Sequence, residues 1–260
     1  LRARSIAPKS NNKQGWRYIS PALFLFCVIR FTERWWMAEA APDILVVFDC
    51  DGTLVDSQHN VAACMRLAFE SLSMPVPEDL AIRRTIGLNP DTAVRHLAGV
   101  TLDDIQLENI VSGYKNAFFK RRLLPDHHEP LFPGVKETLS ALAARKVAMA
   151  VATGKSLRGL NAVINQHGLH DYFTSLQTPD HNPGKPHPQM LERAMMEAGT
   201  SPERTFMIGD TTFDMMLAKN AGCRGIGVTW GYHDADELTE GGAERLIDRV
   251  EDLLDIIDTA

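Results

Sequence analysis

The 260-residue chain is 45% hydrophobic and 23% charged, with a formal net charge of −6. That length allows one large domain or a domain with a smaller insert, and the acidic balance argues against a nucleic-acid binder that relies on general attraction to phosphates. The four cysteines, Cys27, Cys50, Cys64 and Cys223, are scattered without a Cys-x-x-Cys pair, which indicates reduced thiols in a cytosolic protein rather than a disulfide framework or a zinc site.

Residues 1–36 differ from the rest of the chain, because they contain seven basic residues and one acid. Their apolar run, residues 22–29, is too short to span a membrane, which needs about 20 residues. The run is similar to a signal or transit segment, but no small-residue cleavage site follows it. We therefore expect residues 1–36 to lie outside the fold, translation to start at Met37, and the protein to be cytoplasmic without membrane contact.

The first strongly patterned segment is Asp43–Ser57. Its apolar, β-branched run predicts a strand that is buried on both faces, as in a parallel sheet. The run ends at Asp49 and Asp51, and alternate residues on a strand point the same way; Gly52 and Thr53 follow. Two carboxylates at the end of a buried strand repel each other and lose hydration, so this pattern favours a functional site over a solvated acidic loop.

The next segment, residues 58–131, shows only helical spacing of apolar residues. Several helices without an intervening strand predict an inserted helical domain rather than a layer on the sheet. The predicted boundaries are therefore a core of residues 37–57 and 132–260 and an insert of residues 58–131. We interpret the polar run 126–129 as a solvated linker, because consecutive residues rarely converge on one metal ion.

Strand and helix patterns alternate after the insert. A helix begins near Pro133, which suits the first helical turn, and continues to about Arg145. The apolar run Val147–Ala152 then predicts a second buried strand, which ends at Thr153. Further on, Lys185 lies between prolines, which stiffen its loop and fix where the side chain is presented.

A third buried strand, Thr205–Gly209, again ends in an acid, Asp210. Asp214 falls in the first turn of the following helix, so both carboxylates can face one cation. A further strand at Gly225–Thr229 and a terminal helix at Glu251–Ile257 complete the pattern. The alternation of helices and strands predicts an α/β fold.

Four of these segments together resemble the signatures of the haloacid dehalogenase-like superfamily. In chain order they are Asp49-Cys50-Asp51-Gly52-Thr53, Thr153, Lys185 with its flanking prolines, and Gly209-Asp210 with Asp214. The run Trp230-Gly231-Tyr232 resembles the phosphoglycolate phosphatase-like branch. The resemblance implies a doubly wound parallel sheet, Rossmann-like, whose strand ends meet at one edge. It also implies that the helical insert is a cap over the active site.

The resemblance further implies phosphoryl transfer through an aspartyl phosphate. Asp49 would attack phosphorus, and Asp51 would protonate the leaving oxygen and then activate water. Thr153 and Lys185 would bind the transferring oxygens. The cofactor implied is Mg²⁺. Its implied ligands are Asp49, Asp51 through the backbone carbonyl, Asp210 and Asp214, the last as a ligand or an orienting neighbour.

The expected substrate is a small phosphate monoester, 2-phosphoglycolate or similar. Arg83 and Arg84 precede a loop of the insert, where one guanidinium could fork onto a substrate carboxylate; the alternative is that both are solvated helix residues. A halide-displacing enzyme would not need Asp51. A phosphosugar mutase remains an alternative, although such mutases often have Val or Ile at the position of Thr53. A non-catalytic binding protein on this scaffold is the third alternative.

Overall fold

The computed structural model describes residues 43–260; the predicted extension of residues 1–36 and the predicted start at Met37 lie outside them. Six strands and ten α-helices occur in the described residues. The strands are β1 (Leu45–Phe48), β2 (Ala148–Ala152), β3 (Ser175–Gln177), β4 (Thr205–Gly209), β5 (Arg224–Val228) and β6 (Arg245–Ile247). The helices are α1 (Gln58–Glu70), α2 (Asp79–Arg83), α3 (Pro90–Ala98), α4 (Asp104–Arg121), α5 (Val135–Ala144), α6 (Leu157–His167), α7 (Gln189–Ala198), α8 (Thr212–Ala221), α9 (Ala235–Gly241) and α10 (Asp252–Asp258).

The six strands form one parallel sheet in the order β3-β2-β1-β4-β5-β6. Strand β1 lies near the centre, where Leu45 is opposite Ala148 of β2 and Thr205 of β4. The chain passes from β1 to β2 on one side and later returns to β4 on the other. This switch point beside β1 is where doubly wound sheets bind ligands. The structure confirms the predicted α/β, doubly wound parallel sheet.

Helices cover both faces of the sheet, and the alternate side chains of β1 pack against the helices on each face. Leu45 and Val47 point into one apolar cluster, which α7 and α8 complete. Val46 and Phe48 point into the other, with α5, α6 and α10. All four side chains are fully buried, and each such burial stabilises the fold by about 1.5–3 kcal/mol. The residue that follows β1 is therefore held by a rigid strand.

Helices α1 to α4 form a second body, which we call the helical subdomain. It has its own apolar cluster, including Phe69, Ile110 and Phe118. Helix α4 begins at a capping box in which Asp103 accepts from the backbone N–H of Gln106 at 2.8 Å. The two linkers to the sheet run side by side. Their contacts are a bridge between Val55 and Leu131, Asp56 N–H to Pro130 O at 2.9 Å, and Phe132 N–H to Leu54 O at 3.0 Å.

Three cysteines fall within the described residues. Cys50, Cys64 and Cys223 are buried free thiols, as expected of small apolar side chains. Between residues 43 and 260, no helix combines the length and the apolarity that a bilayer crossing requires.

Candidate active site

The carboxyl ends of three neighbouring strands bring the predicted residues together. Asp49 follows β1, Thr153 follows β2 and Asp210 follows β4. The Asp49 N–H continues the ladder by donating to Ile208 O of β4 at 2.9 Å. Because the strands are parallel and in register, their ends lie side by side, and the polar residues that terminate the apolar runs share one edge.

Three carboxylates and one ammonium group form the centre of this edge. Asp49, Asp210 and Asp214 are fully buried, with one oxygen of each within 4.8 Å of the others. Lys185 Nζ lies 2.9 Å from Asp49 Oδ1 and 2.6 Å from Asp214 Oδ1. One lysine cannot balance three acids, so the cluster carries excess negative charge in a medium of low dielectric constant.

The carboxylates of Asp49 and Asp210 differ in their partners. Asp210 accepts from Thr53 Oγ1 at 2.9 Å and from the Tyr232 N–H at 3.0 Å. Neither oxygen of Asp49 has an aligned hydrogen-bond donor among residues 43–260, so its contact with Lys185 is an ion pair of poor hydrogen-bond geometry. A buried carboxylate without donors is costly. The orphaned Asp49 oxygens and the all-oxygen set therefore fit a hard dication such as Mg²⁺.

The pKa values of these groups reflect the same crowding. Burial raises the pKa of Asp49 to about 7, and the charge of Asp214 adds to burial against the opposing effect of Lys185. Burial, then Asp214 and Asp49, raises the pKa of Asp210 well above its usual value. Burial alone would lower the pKa of Lys185, but the neighbouring carboxylates outweigh it and raise that pKa. A bound cation would favour the ionised acids.

Asp51 belongs to a separate group of charges. Lys155 Nζ lies 2.6 Å from Asp51 Oδ1 and 3.2 Å from Glu129 Oε1. Glu129 is only 1% exposed, and His127 Nε2 lies 3.1 Å from its Oε2. The interpretation of residues 126–129 as a solvated linker is therefore wrong for Glu129, because the linker turns this acid inward against Lys155. Neither Lys155 nor Glu129 was predicted from the sequence to be part of the site.

A cavity of about 260 Å³ lies between the sheet edge and the helical subdomain. Asp51, Gly154 and Lys155 line it from the sheet side. The opposite wall is largely apolar, including Met65 and Phe118. The basic side chains that line the cavity are Lys115, Arg122, Lys155 and Arg158. The cavity thus joins the acid Asp51 to an apolar wall with several cations.

Arg83 and Arg84 do not line this cavity. Arg83 donates to Gly231 O at 2.9 Å, and Arg84 forms ion pairs with Glu237 and Asp234 on the outer surface. The structure thus does not bring either arginine to the place where the sequence analysis expected a substrate carboxylate. Both instead connect the helical subdomain to the segment that follows β5.

The subdomain touches the sheet edge through the loop of residues 87–89. A Cβ at Gly154 would lie 2.5 Å from the backbone oxygens of Gly87 and Leu88. A Cβ at Gly184 would lie 2.8 Å from Asn89 Nδ2. The two glycines therefore permit an approach that a side chain would block. Thr153, beside Gly154, is 1% exposed, and its hydroxyl accepts from the Lys155 N–H at 3.2 Å.

The segment Trp230–Tyr232 supports the acid Asp210. The Tyr232 N–H donates to its carboxylate, and a Cβ at Gly231 would lie 2.1 Å from Asp210 Cβ. Trp230 Nε1 donates to Thr53 O at 3.2 Å, and Tyr232 OH accepts from the Ser57 N–H at 3.1 Å. This segment thus positions the first and last acidic motifs, a role that the sequence analysis did not assign to it.

Comparisons with known proteins agree with this geometry. A family model described as haloacid dehalogenase-like hydrolase matches residues 46–228. A Dickeya dadantii protein named "Probable phosphatase IndB" is 38% identical over 206 residues, covering 78% of this chain and 89% of its own length. A Vibrio vulnificus phosphoglycolate phosphatase is 30% identical over 217 residues, with coverages of 82% and 95%. The crystal structure of a Pseudomonas syringae hydrolase matches with a TM-score of 0.72 and 27% identity, over 83% of this chain and 98% of that one.

Proposed function

The chain belongs to the haloacid dehalogenase-like hydrolases and is a phosphatase, and we propose that it hydrolyses a small phosphate monoester through a phosphorylated aspartate. One observation carries this proposal. Asp49 presents a fully buried carboxylate without an aligned donor, two residues before the cavity-lining Asp51. A carboxylate that no aligned donor holds, next to a second acid, is suited to nucleophilic attack followed by proton transfer.

The residues around Asp49 would divide the reaction between them. An oxygen of Asp49 attacks phosphorus as the bond to the leaving oxygen breaks, and Asp51 gives its proton to that oxygen. Asp51 then takes a proton from the water that attacks the acyl phosphate. Lys185 lies against Asp49 and Thr153 follows β2, and both side chains would stabilise the charge on the phosphoryl oxygens.

Asp49, Asp210 and Asp214 would hold Mg²⁺, and the resemblance to the family adds the Asp51 backbone carbonyl as a further ligand. Such an ion reduces the repulsion between the anionic nucleophile and the phosphate dianion. The protein side of the site supports this assignment, because Thr53 and the Tyr232 N–H fix both oxygens of Asp210. Ligands that are oriented by their own hydrogen bonds bind metal more strongly.

We propose 2-phosphoglycolate, or a similar small phosphorylated acid, as the substrate. The named function of the Vibrio relative supports it, and so does Arg122 in the cavity. The Arg122 Nε lies 3.7 Å from Glu129 Oε2, too far for a hydrogen bond, and its guanidinium stacks on Phe118 with 4.6 Å to the ring centroid. A planar guanidinium of this kind suits a carboxylate. The helical subdomain would act as the cap that closes over the ester.

Phosphate release in Mg²⁺ buffer tests the proposal, with 2-phosphoglycolate, a sugar phosphate and a nucleoside monophosphate as substrates. We expect free phosphate from 2-phosphoglycolate and an acid-stable labelled protein after rapid quench. Conversion of a sugar phosphate to its isomer without phosphate release would instead favour a mutase. If no ester yields phosphate or an isomer, the proposed function is wrong.

Arg122→Met tests the carboxylate assignment, because methionine retains the apolar stem over Phe118. We expect kcat/KM to fall at least about 10-fold on 2-phosphoglycolate only, corresponding to ~1.5–3 kcal/mol. The matched control is Arg121→Met, since Arg121 donates to Asn60 Oδ1 at 2.7 Å and does not line the cavity. Equal losses on all three esters would contradict the assignment.

A further inference from the structure

A buried chain of charges leads from the catalytic acid to the linker between the helical subdomain and the sheet. Lys155 Nζ bridges Asp51 Oδ1 and Glu129 Oε1 at 2.6 and 3.2 Å. The side chains are 6% exposed for Lys155, 10% for Asp51 and 1% for Glu129. Buried ion pairs are costly to assemble unless their geometry is good. The position of these pairs beside the reacting groups therefore suggests that they serve the reaction.

Two carboxylates and an aromatic ring surround the ammonium of Lys155. It has three N–H donors, and two of them meet the carboxylates of Asp51 and Glu129. In the remaining direction, Nζ faces the ring of Phe118 with 5.2 Å to the centroid. Lys155 lines the cavity, but carboxylates of the protein already engage two of its three donors, so it is better placed to orient Asp51 than to bind substrate.

Glu129 is itself held from several sides. His127 Nε2 lies 3.1 Å from Oε2, and Arg122 Nε lies 3.7 Å from the same oxygen. The His167 Nε2–H donates to the backbone oxygen of Glu129 at 2.8 Å. An acid restrained at both its side chain and its backbone can serve as a fixed anchor for Lys155.

The contact also distinguishes the two oxygens of Asp51. Lys155 donates to Oδ1, and the Asp51 side chain makes no other hydrogen bond within residues 43–260. Oδ2 is thus the oxygen that remains for proton transfer. During the first step the proton on Oδ2 passes to the leaving oxygen as the P–O bond breaks, and during the second step Oδ2 takes a proton from water. Lys155 keeps its three protons throughout.

We propose that Lys155 and Glu129 are positioning residues that fix the Asp51 carboxyl group toward the leaving oxygen. This inference rests on the proposed phosphatase function. The proposed role concerns proton transfer to the leaving oxygen rather than substrate binding. Protonation of the leaving oxygen matters for an alkyl ester, whose alkoxide is a poor leaving group, and matters little for a nitrophenyl ester, whose phenolate leaves readily.

The test compares phosphoenzyme formation from 2-phosphoglycolate and 4-nitrophenyl phosphate by rapid quench, in the Mg²⁺-loaded full chain. For Lys155→Met we expect formation from 2-phosphoglycolate to slow about 10²-fold and formation from the nitrophenyl ester to change by less than about 3-fold. For Glu129→Gln, we also expect formation from 2-phosphoglycolate to slow more than formation from the nitrophenyl ester, but with a smaller difference between the two esters. Equal slowing with both esters, or none, would overturn the proposal.

Two further variants complete the test. Lys115→Met removes an exposed cation of the same cavity that does not contact Asp51. We expect this variant to keep the parent ratio of the phosphoenzyme formation rates from the two esters. A changed ratio would show that general charge attraction explains the effect. The double variant with Lys155→Met and Glu129→Gln buries one fewer unpaired charge than Lys155→Met alone, which protects folding. In this double variant, formation from 2-phosphoglycolate should still slow much more than formation from the nitrophenyl ester. If the parent releases phosphate from neither ester, the proposed function fails rather than the positioning role.

Discussion

The candidate active site has two walls, the edge of the sheet and the helical subdomain, which are built in different ways. On the sheet side, Asp49, Asp210 and Asp214 are fully buried and follow or adjoin strands whose register the backbone ladder fixes. On the other side, the helical subdomain contributes apolar and basic side chains, among them Phe118 and the exposed Lys115. The reacting groups therefore depend on the rigid sheet, whereas the substrate-facing groups of the helical subdomain depend on how that subdomain packs against it.

Asp49→Asn would remove the centre of the sheet-side wall. We expect turnover to fall by at least about 10⁴-fold, because an amide cannot form the acyl phosphate. The measurement is phosphate release together with acid-quench labelling of the protein. Circular dichroism of the same sample controls for folding. Labelled protein in this variant would show that Asp49 is not the nucleophile.

Asp210→Asn tests whether the same wall holds the metal. Thr53 and the Tyr232 N–H already bind this side chain, so an amide of equal size should fold there. We expect chelator to abolish parent activity, and the Mg²⁺ concentration for half-activation to rise about 10²-fold in the variant. A titration that matches the parent would exclude Asp210 as a ligand.

The sheet-side wall could be predicted because its signals are local. The apolar runs before Asp49, Thr153 and Asp210 are continuous, and parallel strands place their ends at one edge. The edge strands β3 and β6 escaped prediction because three residues are too few to show a periodicity. The Tyr232 contact with Asp210 also escaped, since its donor is a backbone N–H that every residue except proline carries.

Contacts between distant segments could not be predicted, whichever side of the site they lie on. Arg84 meets Glu237 across 153 residues, and Lys155 meets Asp51 across 104. A charged residue in a helix pattern gives no sign of which body it will face. One signal was available: Lys155 lies two residues after Thr153, on a loop already expected at the sheet edge, and therefore near Asp51.

Gly154→Ala would separate the two walls. Its Cβ would meet the backbone oxygens of Gly87 and Leu88 at 2.5 Å, so the loop of the helical subdomain must shift. We expect kcat/KM to fall by up to about 10²-fold, the cost of misplacing groups by about 1 Å. Gly113→Ala is the matched control, because its Cβ would lie an ordinary 3.6 Å from Ala68. Similar activities for the two variants would show that closure does not depend on this contact.

In the absence of metal, the crowded acids should also make the stability of the folded protein depend on pH. The pKa of Asp49 rises from 3.8 to about 7 on folding, so the folded state holds an extra proton between those values. Stability therefore falls as pH rises through this window. We expect the parent to lose on the order of 5 °C in Tm relative to Asp49→Asn between pH 4 and 7. Added Mg²⁺ should reduce the difference; parallel Tm curves without metal would contradict the argument.

Arg84→Ala should have the smallest effect, since Arg84 lies away from the cavity that separates the two walls. The side chain of Arg84 is 41% exposed and pairs with Glu237 and Asp234. Exposed ion pairs contribute little, because water and salt screen them and two long side chains must be ordered. We expect the free energy of unfolding to fall only slightly, and less at high salt, with kcat/KM on 2-phosphoglycolate changed by less than about 2-fold. Urea unfolding at two salt concentrations and steady-state kinetics measure both quantities. A selective loss on 2-phosphoglycolate would place Arg84 at the substrate after all, and would mean that the subdomain rotates between the state described here and the state that binds the ester.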